Sequence, residues 1–190
     1  VMATIRCADY RPQMATVRPG VMKLAEAQPG KQGEVEDFKV EFTPEDMNVT
    51  IKEVIKETKK AVDITDAKVL VSGGRGIGSA DYYKELQKVA DLLGGEISSS
   101  RANVDAGWIA KDRQVGQTGK TVRPDLYLAC GISGAIQHIA GMENSECVIS
   151  INKNDTAAIF DVSDLGIVGD VKVIIPKLID ALTKYKAAQN

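Results

Sequence analysis

The sequence predicts an α/β protein built on a parallel sheet flanked by helices, preceded by a smaller, partial α/β region. Three observations carry this. From about Ala67 onward, apolar runs that end in glycine alternate with stretches of helical periodicity, the pattern of strands joined by crossover helices. Before Ala67 the strand-like runs are short and complete no strand–helix–strand unit. The 190 residues, 44% apolar and 26% charged, suffice for one large domain or two small ones with ordinary cores.

Taken in order, Val1 to Ile5 and Met14 to Val17 read as short strands, and AQPGKQGEVEDF as a turn-rich segment. Phe38-Lys39-Val40-Glu41-Phe42 alternates apolar and charged residues as a half-buried strand should. NVTIKEVIKETKK is ambiguous: Ile51, Val54 and Ile55 suit a helical face, whereas the β-branched content suits a strand. ETKKAVDITDA is charged, poorly periodic and reads as a linker, so the boundary falls between residues 1–64 and 65–190.

The second region is more regular. AKVLVSGG is a buried strand ending in glycines, and Ser79 can cap a helix with Tyr82, Leu86, Val89, Ala90 and Leu93 on one face. Gly94-Gly95 stop that helix. EISSSR, DLYLACG, CVISINK and DLGIVGD read as further strands, and GISGAIQHIAGM as a short helix opened by small residues. Pro176 is placed at the start of a last helix with Ile175, Leu178, Ile179, Leu182 and Tyr185 on one side. Ligands of such sheets bind beyond the carboxyl ends of the strands, so the loops after Val71, Ser100, Ala129, Ile151 and Val168 are expected to converge.

Composition narrows the function classes. Lys+Arg 24 against Asp+Glu 26 gives a net charge of −2, with no basic field for nucleic acid or anionic lipid. No apolar run approaches the ~20 residues of a membrane-spanning helix. VMATIRCADY carries neither a signal-peptide core nor an arginine-rich transit pattern. Cys7, Cys130 and Cys147 are widely spaced and form no CxxC, which argues against a disulfide scaffold or a zinc site. These features read as a soluble intracellular protein. The start on Val1, with a strand-like run already under way, is what a chain trimmed inside a longer protein would show.

The stretch VLVSGGRGIGS, residues 69–79, poses the functional question. A Rossmann-like dinucleotide site uses GxGxxG for a tight turn and close approach to pyrophosphate. Gly74 and Gly76 match the first two glycines, but Ser79 stands where the third belongs. An NAD site also wants an acid at the end of the second strand, and that strand ends in Ser100-Arg101. An arginine there suits the 2′-phosphate of NADP, so an NADP-linked oxidoreductase stays open beside a plain, ligand-free turn.

Three further segments carry a stronger signal: SSSRANVDAGW (98–108), QVGQTGKTVRPDLYLACGISGAIQHIAGM (114–142) and INKNDTAAIFDVSDLGIVGD (151–170). With GGRG ahead of them, they closely resemble the FAD-binding domain of the electron transfer flavoprotein alpha subunit, from about residue 67 to the end. Upstream, RPQMATVRPG resembles the last part of that subunit's first domain, so residues 1–64 are expected to be a remnant of it. Ala158 replaces a common proline and Leu165 a common tyrosine, neither bearing a group the chemistry needs.

The resemblance implies FAD as cofactor and assigns roles. His138, the only histidine, would lie against the pyrimidine end of the flavin, where a donor or positive charge stabilises the charge gained on reduction. Thr118, in VGQTG, would offer its hydroxyl to flavin N5, with Val115, Gly116 and Gln117 around it. Arg101 would sit over the ring as a permanent cation beside Ser100, and Arg75 would meet a phosphate or the flavin. Gly131 and Gly134 let a helix begin close to an anion, so Ser133, Gly134, Ala135, Ile136 and Gln137 are expected along the cofactor. Asn152, Asp170 and the Val171 backbone would hold its sugar and adenosine portion. Each has a plainer alternative: a packed histidine, a polar turn residue, a surface ion pair, a helix capped by Ser133, or turn-forming Asn and Asp. Cys130 and Trp108 read as packing residues.

The family's role is electron carriage rather than catalysis, in a heterodimer with a beta subunit, between acyl-CoA dehydrogenases or other flavoenzymes and an acceptor. Some relatives oxidise NADH and split its electrons. The expected setting is a bacterial cytoplasm, with the mitochondrial matrix left open. A non-redox binding module that has lost its cofactor is the further alternative.

Overall fold

The computed structural model describes residues 5–17, 22, 25–47, 49–54 and 62–189. The chain divides into two compact units, one formed by Val1–Met22 with Val62–Asn190 and the other by Lys23–Ala61.

The larger unit is organised by five parallel strands: β1 (Val69–Gly73), β2 (Glu96–Ser99), β3 (Leu126–Cys130), β4 (Val148–Asn152) and β5 (Leu165–Val168). Their order in the sheet is β2-β1-β3-β4-β5. The central strands β1 and β3 pair in register from Val69↔Leu126 to Gly73↔Cys130 and are covered on both faces, hence their nearly continuous apolar runs. On one face Leu70, Tyr127, Ala129 and Val148 pack with Ile132, Met142 and Ile159. On the other, Val71, Leu128, Cys130 and Ile151 lie under two helices, α1 (Tyr83–Leu93) and α4 (Val171–Gln189). The predicted α/β class and parallel, helix-flanked sheet are what the structure has.

Two further helices are short, α2 (Arg101–Asp105) and α3 (Ile136–Ile139). Helix α1 follows a 3-10 turn at Ala80–Tyr82, and Ser79 stands ahead of that turn without a side-chain capping bond. Its stop is as expected: Gly94 adopts φ 67° and the Gly95 amide reaches back to the Ala90 carbonyl at 2.8 Å. The last helix corrects the placement of Pro176. It begins at Val171, capped by Asp170, whose Oδ1 accepts the Lys172 amide at 2.8 Å, and Pro176 lies inside it. The proline removes one helical hydrogen bond, but its ring faces solvent while Ile175, Leu178, Ile179 and Leu182 pack inward. Tyr185, expected on that face, is exposed.

The early strand expectations fail. Met14–Val17 and Phe38–Phe42 form no strand, and Met14, Val17, Phe38, Val40 and Phe42 are exposed. Alternation alone makes no strand without a neighbour to complete its ladder. Val1–Ile5 is described only at Ile5, which is exposed, and residues 49–54 form no element. Residues 55–61, with most of the ambiguous segment's end, lie outside the described residues. The linker reading also needs correction, because Ile64 is fully buried in the first core, held in a turn where the Asp66 amide reaches the Asp63 carbonyl at 3.0 Å. In the smaller unit the turn-rich reading holds at Pro29-Gly30, where Gly30 takes φ 84° and Lys31 bonds back to Gln28 at 3.2 Å.

Candidate functional site

A strand order in which β1 lies between β2 and β3 sends successive crossovers to opposite sides of the sheet, leaving a crevice at the carboxyl ends of β1 and β3. A cavity of about 440 Å³ sits there, within the ~300–1,000 Å³ range of small-molecule sites. The loops after β1, β2 and β3 reach it, joined by residues 114–118 and by the segment entering α3. The loops after β4 and β5 do not.

The β1 and β3 turns are joined backbone to backbone. The Gly74 amide bonds to the Cys130 carbonyl at 2.9 Å, and the Gly76 amide to the Gly131 carbonyl at 3.0 Å. A Cβ on Gly76 would stand 2.7 Å from the Gly131 Cα, so both positions need glycine for mutual approach. The two matching glycines of VLVSGGRGIGS therefore serve contact with a neighbouring loop. Arg75, carried between them, is exposed and lines the cavity.

Beneath this turn the Gly73 carbonyl gathers three donors, with the Tyr83 hydroxyl packed beside them. The Ser100 amide and Asn103 Nδ2 each lie 3.1 Å away and the Ser99 hydroxyl 3.3 Å. Asn103 Nδ2 also reaches the Tyr83 oxygen at 2.9 Å, and Tyr83 donates to Ser99 Oγ at 2.7 Å. These buried groups fix where β2 becomes α2, and so where Ser100 and Arg101 enter the cavity wall. Neither Tyr83 nor Asn103 was legible as a site residue. Arg101 is exposed, and its Nε pairs with Asp105 Oδ2 at 3.2 Å, which also lines the cavity.

The 114–118 loop is held from both sides. The Val115 amide bonds to the Ser99 carbonyl at 2.9 Å, and the Gln117 amide to the Gln137 carbonyl at 2.6 Å. Buried Gln114, absent from the sequence expectations, donates from Nε2 to Thr118 Oγ1 at 3.0 Å. That bond occupies an oxygen lone pair of Thr118 and leaves its hydrogen free to donate elsewhere.

The helix α3 is a single turn, capped by Ala135 rather than Ser133. Its macrodipole contributes little, which weakens the expected anion-binding role of this helix start. Its main contribution is His138, which is buried, lines the cavity and meets the Tyr127 hydroxyl through Nε2 at 3.0 Å. Burial drives the imidazole down to about 4, against a weaker upward pull from the Val115 backbone. At neutral pH His138 is therefore uncharged: it can donate a hydrogen bond but is not the fixed cation that the sequence left open. Its Nδ1 has no hydrogen-bond partner among the described residues. The charges on the wall are then Arg75 and Arg101 against Asp105.

Eleven of the expected residues line this cavity: Arg75, Ser100, Arg101, Val115, Gly116, Gln117, Thr118, Ser133, Ala135, Gln137 and His138. Gly134, Ile136, Asn152, Asp170 and Val171 lie outside it. Asn152 Nδ2 donates to the Ile132 carbonyl at 2.8 Å and Asn152 Oδ1 accepts the Asn154 amide at 2.9 Å, so its side chain organises a turn. Asp170 caps α4, and Val171 is buried. Cys130 and Trp108 are packing residues, Cys130 fully buried with its thiol pushed up to about 12.

An apolar, preformed crevice with cations on its wall and an unpaired buried nitrogen fits a large, flat, anionic cofactor. Residues 63–143 match the family described as "Electron transfer flavoprotein FAD-binding domain". The chain is 54% identical over 186 residues to the electron transfer flavoprotein subunit alpha of Thermoanaerobacterium thermosaccharolyticum, covering 98% of this chain and 56% of that protein. It is 52% identical over 195 residues to the protein of the same name from Clostridium acetobutylicum, covering 100% of this chain and 56% of that one. The acryloyl-CoA reductase electron transfer subunit beta of Anaerotignum propionicum is 49% identical over 194 residues, covering 99% and 53%. The chain thus spans about half the length of the curated relatives it matches. With its crevice, the loops that line it and these relatives taken together, the chain carries the FAD-binding domain of the electron transfer flavoprotein alpha-subunit family.

Proposed function

We propose that this chain is the FAD-holding part of an electron carrier, working as a heterodimer with a beta subunit between flavoprotein dehydrogenases and an acceptor. Acyl-CoA dehydrogenases are the proposed donors, and the bacterial relatives support action in a cytoplasm. One observation carries the reading: the loops after β1, β2 and β3 bring two arginines and a buried, unpaired imidazole nitrogen to one apolar crevice.

Bound FAD supplies the redox chemistry, taking up and releasing electrons. The chain's part is to bind, orient and tune. Arg75 and Arg101 put positive potential on the wall, and Asp105 moderates it. Thr118, its oxygen held by Gln114, presents a hydroxyl hydrogen. His138 offers a neutral donor, and Val115 and Ile132 back the crevice with apolar surface that keeps water out. Ser100, Gly116, Gln117, Ser133, Ala135 and Gln137 shape the rim. Gly134, Ile136, Asn152, Asp170 and Val171 are assigned to the rest of the cofactor, because they lie at the same carboxyl edge of the sheet. Residues 1–64 are read as the tail of the preceding domain.

Titration with FAD, followed by absorbance and flavin fluorescence with and without the beta subunit, tests this. FAD is expected to bind, and NADP to leave the signal unchanged. Folded protein that ignores FAD with the partner present overturns the reading. NADH added as the sole donor to the heterodimer tests for electron splitting.

A further inference from the structure

The turn that carries Thr118 is a thin wall between two cavities. Gly116 to Gly119 form a β-turn closed by the Gly119 amide on the Gly116 carbonyl at 2.9 Å, with Thr118 at its third position. Lys120 locks the base: its amide bonds to the Gln114 carbonyl at 2.8 Å, and its carbonyl accepts the Gly116 amide at 3.1 Å. The cofactor crevice lies on one side. On the other, Gln117, Thr118, Gly119 and Lys120 line a second cavity of about 530 Å³ together with Asp63 and Thr65. Inward, the Gln117 amide ties the turn to the Gln137 carbonyl at 2.6 Å. Outward, the Lys120 ammonium ties it to Asp63 Oδ1 at 2.8 Å.

We propose that Asp63 is a positioning residue for Thr118, acting through Lys120: the ion pair holds the 116–119 turn closed and so keeps the Thr118 hydroxyl on the crevice wall. Asp63 is a firm anchor for this. Its Oδ1 also accepts the Thr65 amide at 3.0 Å and the Thr65 hydroxyl at 2.9 Å, and the next residue, Ile64, is fully buried in the first core. The carboxylate is thus fixed before Lys120 meets it. At the other end, Lys120 has both backbone groups bonded within the 114–120 loop, so a shift of its side chain is passed to the turn two residues away. The pair is open to solvent and adds little to the fold as a whole. It acts, however, on a four-residue turn, where a small free energy decides how often the turn opens. Thr118 then has two restraints, Gln114 on its oxygen and Asp63 on its backbone.

The restraint on the turn does not depend on the FAD assignment, whereas its consequence for the cofactor rests on the proposed function. Both are read separately. Asp63→Asn keeps an oxygen to accept from Thr65 but loses the charge that Lys120 needs. In the full chain without cofactor, amide hydrogen exchange at Gly116, Gly119 and Lys120 should quicken roughly threefold in this variant. The Gly107 amide, bonded to the Val104 carbonyl at 2.9 Å in a turn that opens without breaking the pair, should not change. No acceleration in the 116–120 segment, or an equal one at Gly107, overturns the proposal. With FAD and the beta subunit, Asp63→Asn and Lys120→Met should each weaken FAD binding roughly threefold. In a Thr118→Val background, Asp63→Asn should then add nothing, because the group it positions is gone. If wild type binds FAD and Asp63→Asn either leaves its affinity unchanged or costs as much in the Thr118→Val background, the positioning role is overturned. If wild type does not bind FAD, the proposed function fails while the exchange result still decides whether Asp63 holds the turn.

Discussion

The Gly76 amide donates to the Gly131 carbonyl at 3.0 Å, so the turn after β1 and the turn after β3 form one continuous floor. Gly131 holds φ 64° at this crossing. Gly131→Ala should cost about 2–3 kcal/mol, combining backbone strain with collision against Gly76, and should open the cavity. Gly107 takes φ 71° with nothing within 4 Å, so Gly107→Ala should show the strain alone, about 1 kcal/mol. Urea unfolding of the two variants checks the difference; equal costs would remove the collision from the account.

The single histidine predicts an acid-sensitive fold. His138 falls to about 4 when buried, against 6.5 for a free imidazole. Between those values the unfolded chain binds more protons, so stability drops as pH falls through this window and levels off below it. From pH 7.5 to 5 the loss should be about 2 kcal/mol, with Tyr127 the neighbouring group left uncharged throughout. Chemical unfolding at both pH values tests it: His138→Gln should flatten the slope, and a retained slope assigns it elsewhere.

Asp63 acts at lower pH. The Lys120 ammonium 2.8 Å away, with help from the Thr65 amide, holds its carboxyl down at about 2. A depressed carboxyl stabilises the fold above its ordinary value, near 3.8, and loses that contribution as pH falls toward 2. Solvent reaches the pair, so the contribution should stay below ~1 kcal/mol. Lys120→Ala should remove it at pH 6 and leave stability at pH 2 unchanged, a pattern that melting curves at the two pH values would reveal.

Arg101 and Asp105 make opposite predictions. Removing a cation from the crevice wall should lower the potential of bound flavin, and removing the anion paired with it should raise it. Both are exposed, so Arg101→Ala and Asp105→Asn should each shift it by roughly 20–40 mV, in opposite directions. Spectroelectrochemistry of the heterodimer decides; shifts of the same sign would reject a through-space charge effect.

The sheet was legible because β1, β3 and β4 are covered on both faces, and a parallel strand covered on both faces writes an apolar run bounded by glycine. Phe38–Phe42 shows the limit of that signal, since its alternation is as good as any but no neighbouring strand completes it. Pro176 was misplaced because a proline marks helix starts only on average, and Asp170 five residues earlier makes a better cap. At the site, the loop residues could be named from their motifs. Tyr83, Asn103 and the bond between Tyr127 and His138 could not, because they depend on side chains meeting across the fold, and a strand tyrosine reads simply as packing; Gln114 bonds locally to Thr118, but its burial is a property of the folded loop.

The Gly73 carbonyl can be tested through those partners. Asn103→Ala removes both buried bonds of Nδ2, one of them to the Gly73 carbonyl, and should cost about 1–3 kcal/mol, while Tyr83→Phe breaks the bonds to Asn103 and Ser99 but leaves the carbonyl its Ser100, Asn103 and Ser99 donors and should cost less. Thermal melts rank the two; the reverse order would move the centre of this network from Asn103 to Tyr83.

An oxygen that draws donors from β2, from α2 and from the junction between them also has a kinetic meaning. The Gly73 peptide cannot turn without breaking several bonds at once, so the amides around it should exchange with deuterium only in the rarest openings of the domain. A cofactor arriving at such a floor finds its lower half already shaped. The slow part of loading should then be the settling of exposed Arg75, Arg101 and Gln117 above it, so that substitutions at the rim alter how fast FAD enters and those at the floor alter how long it stays.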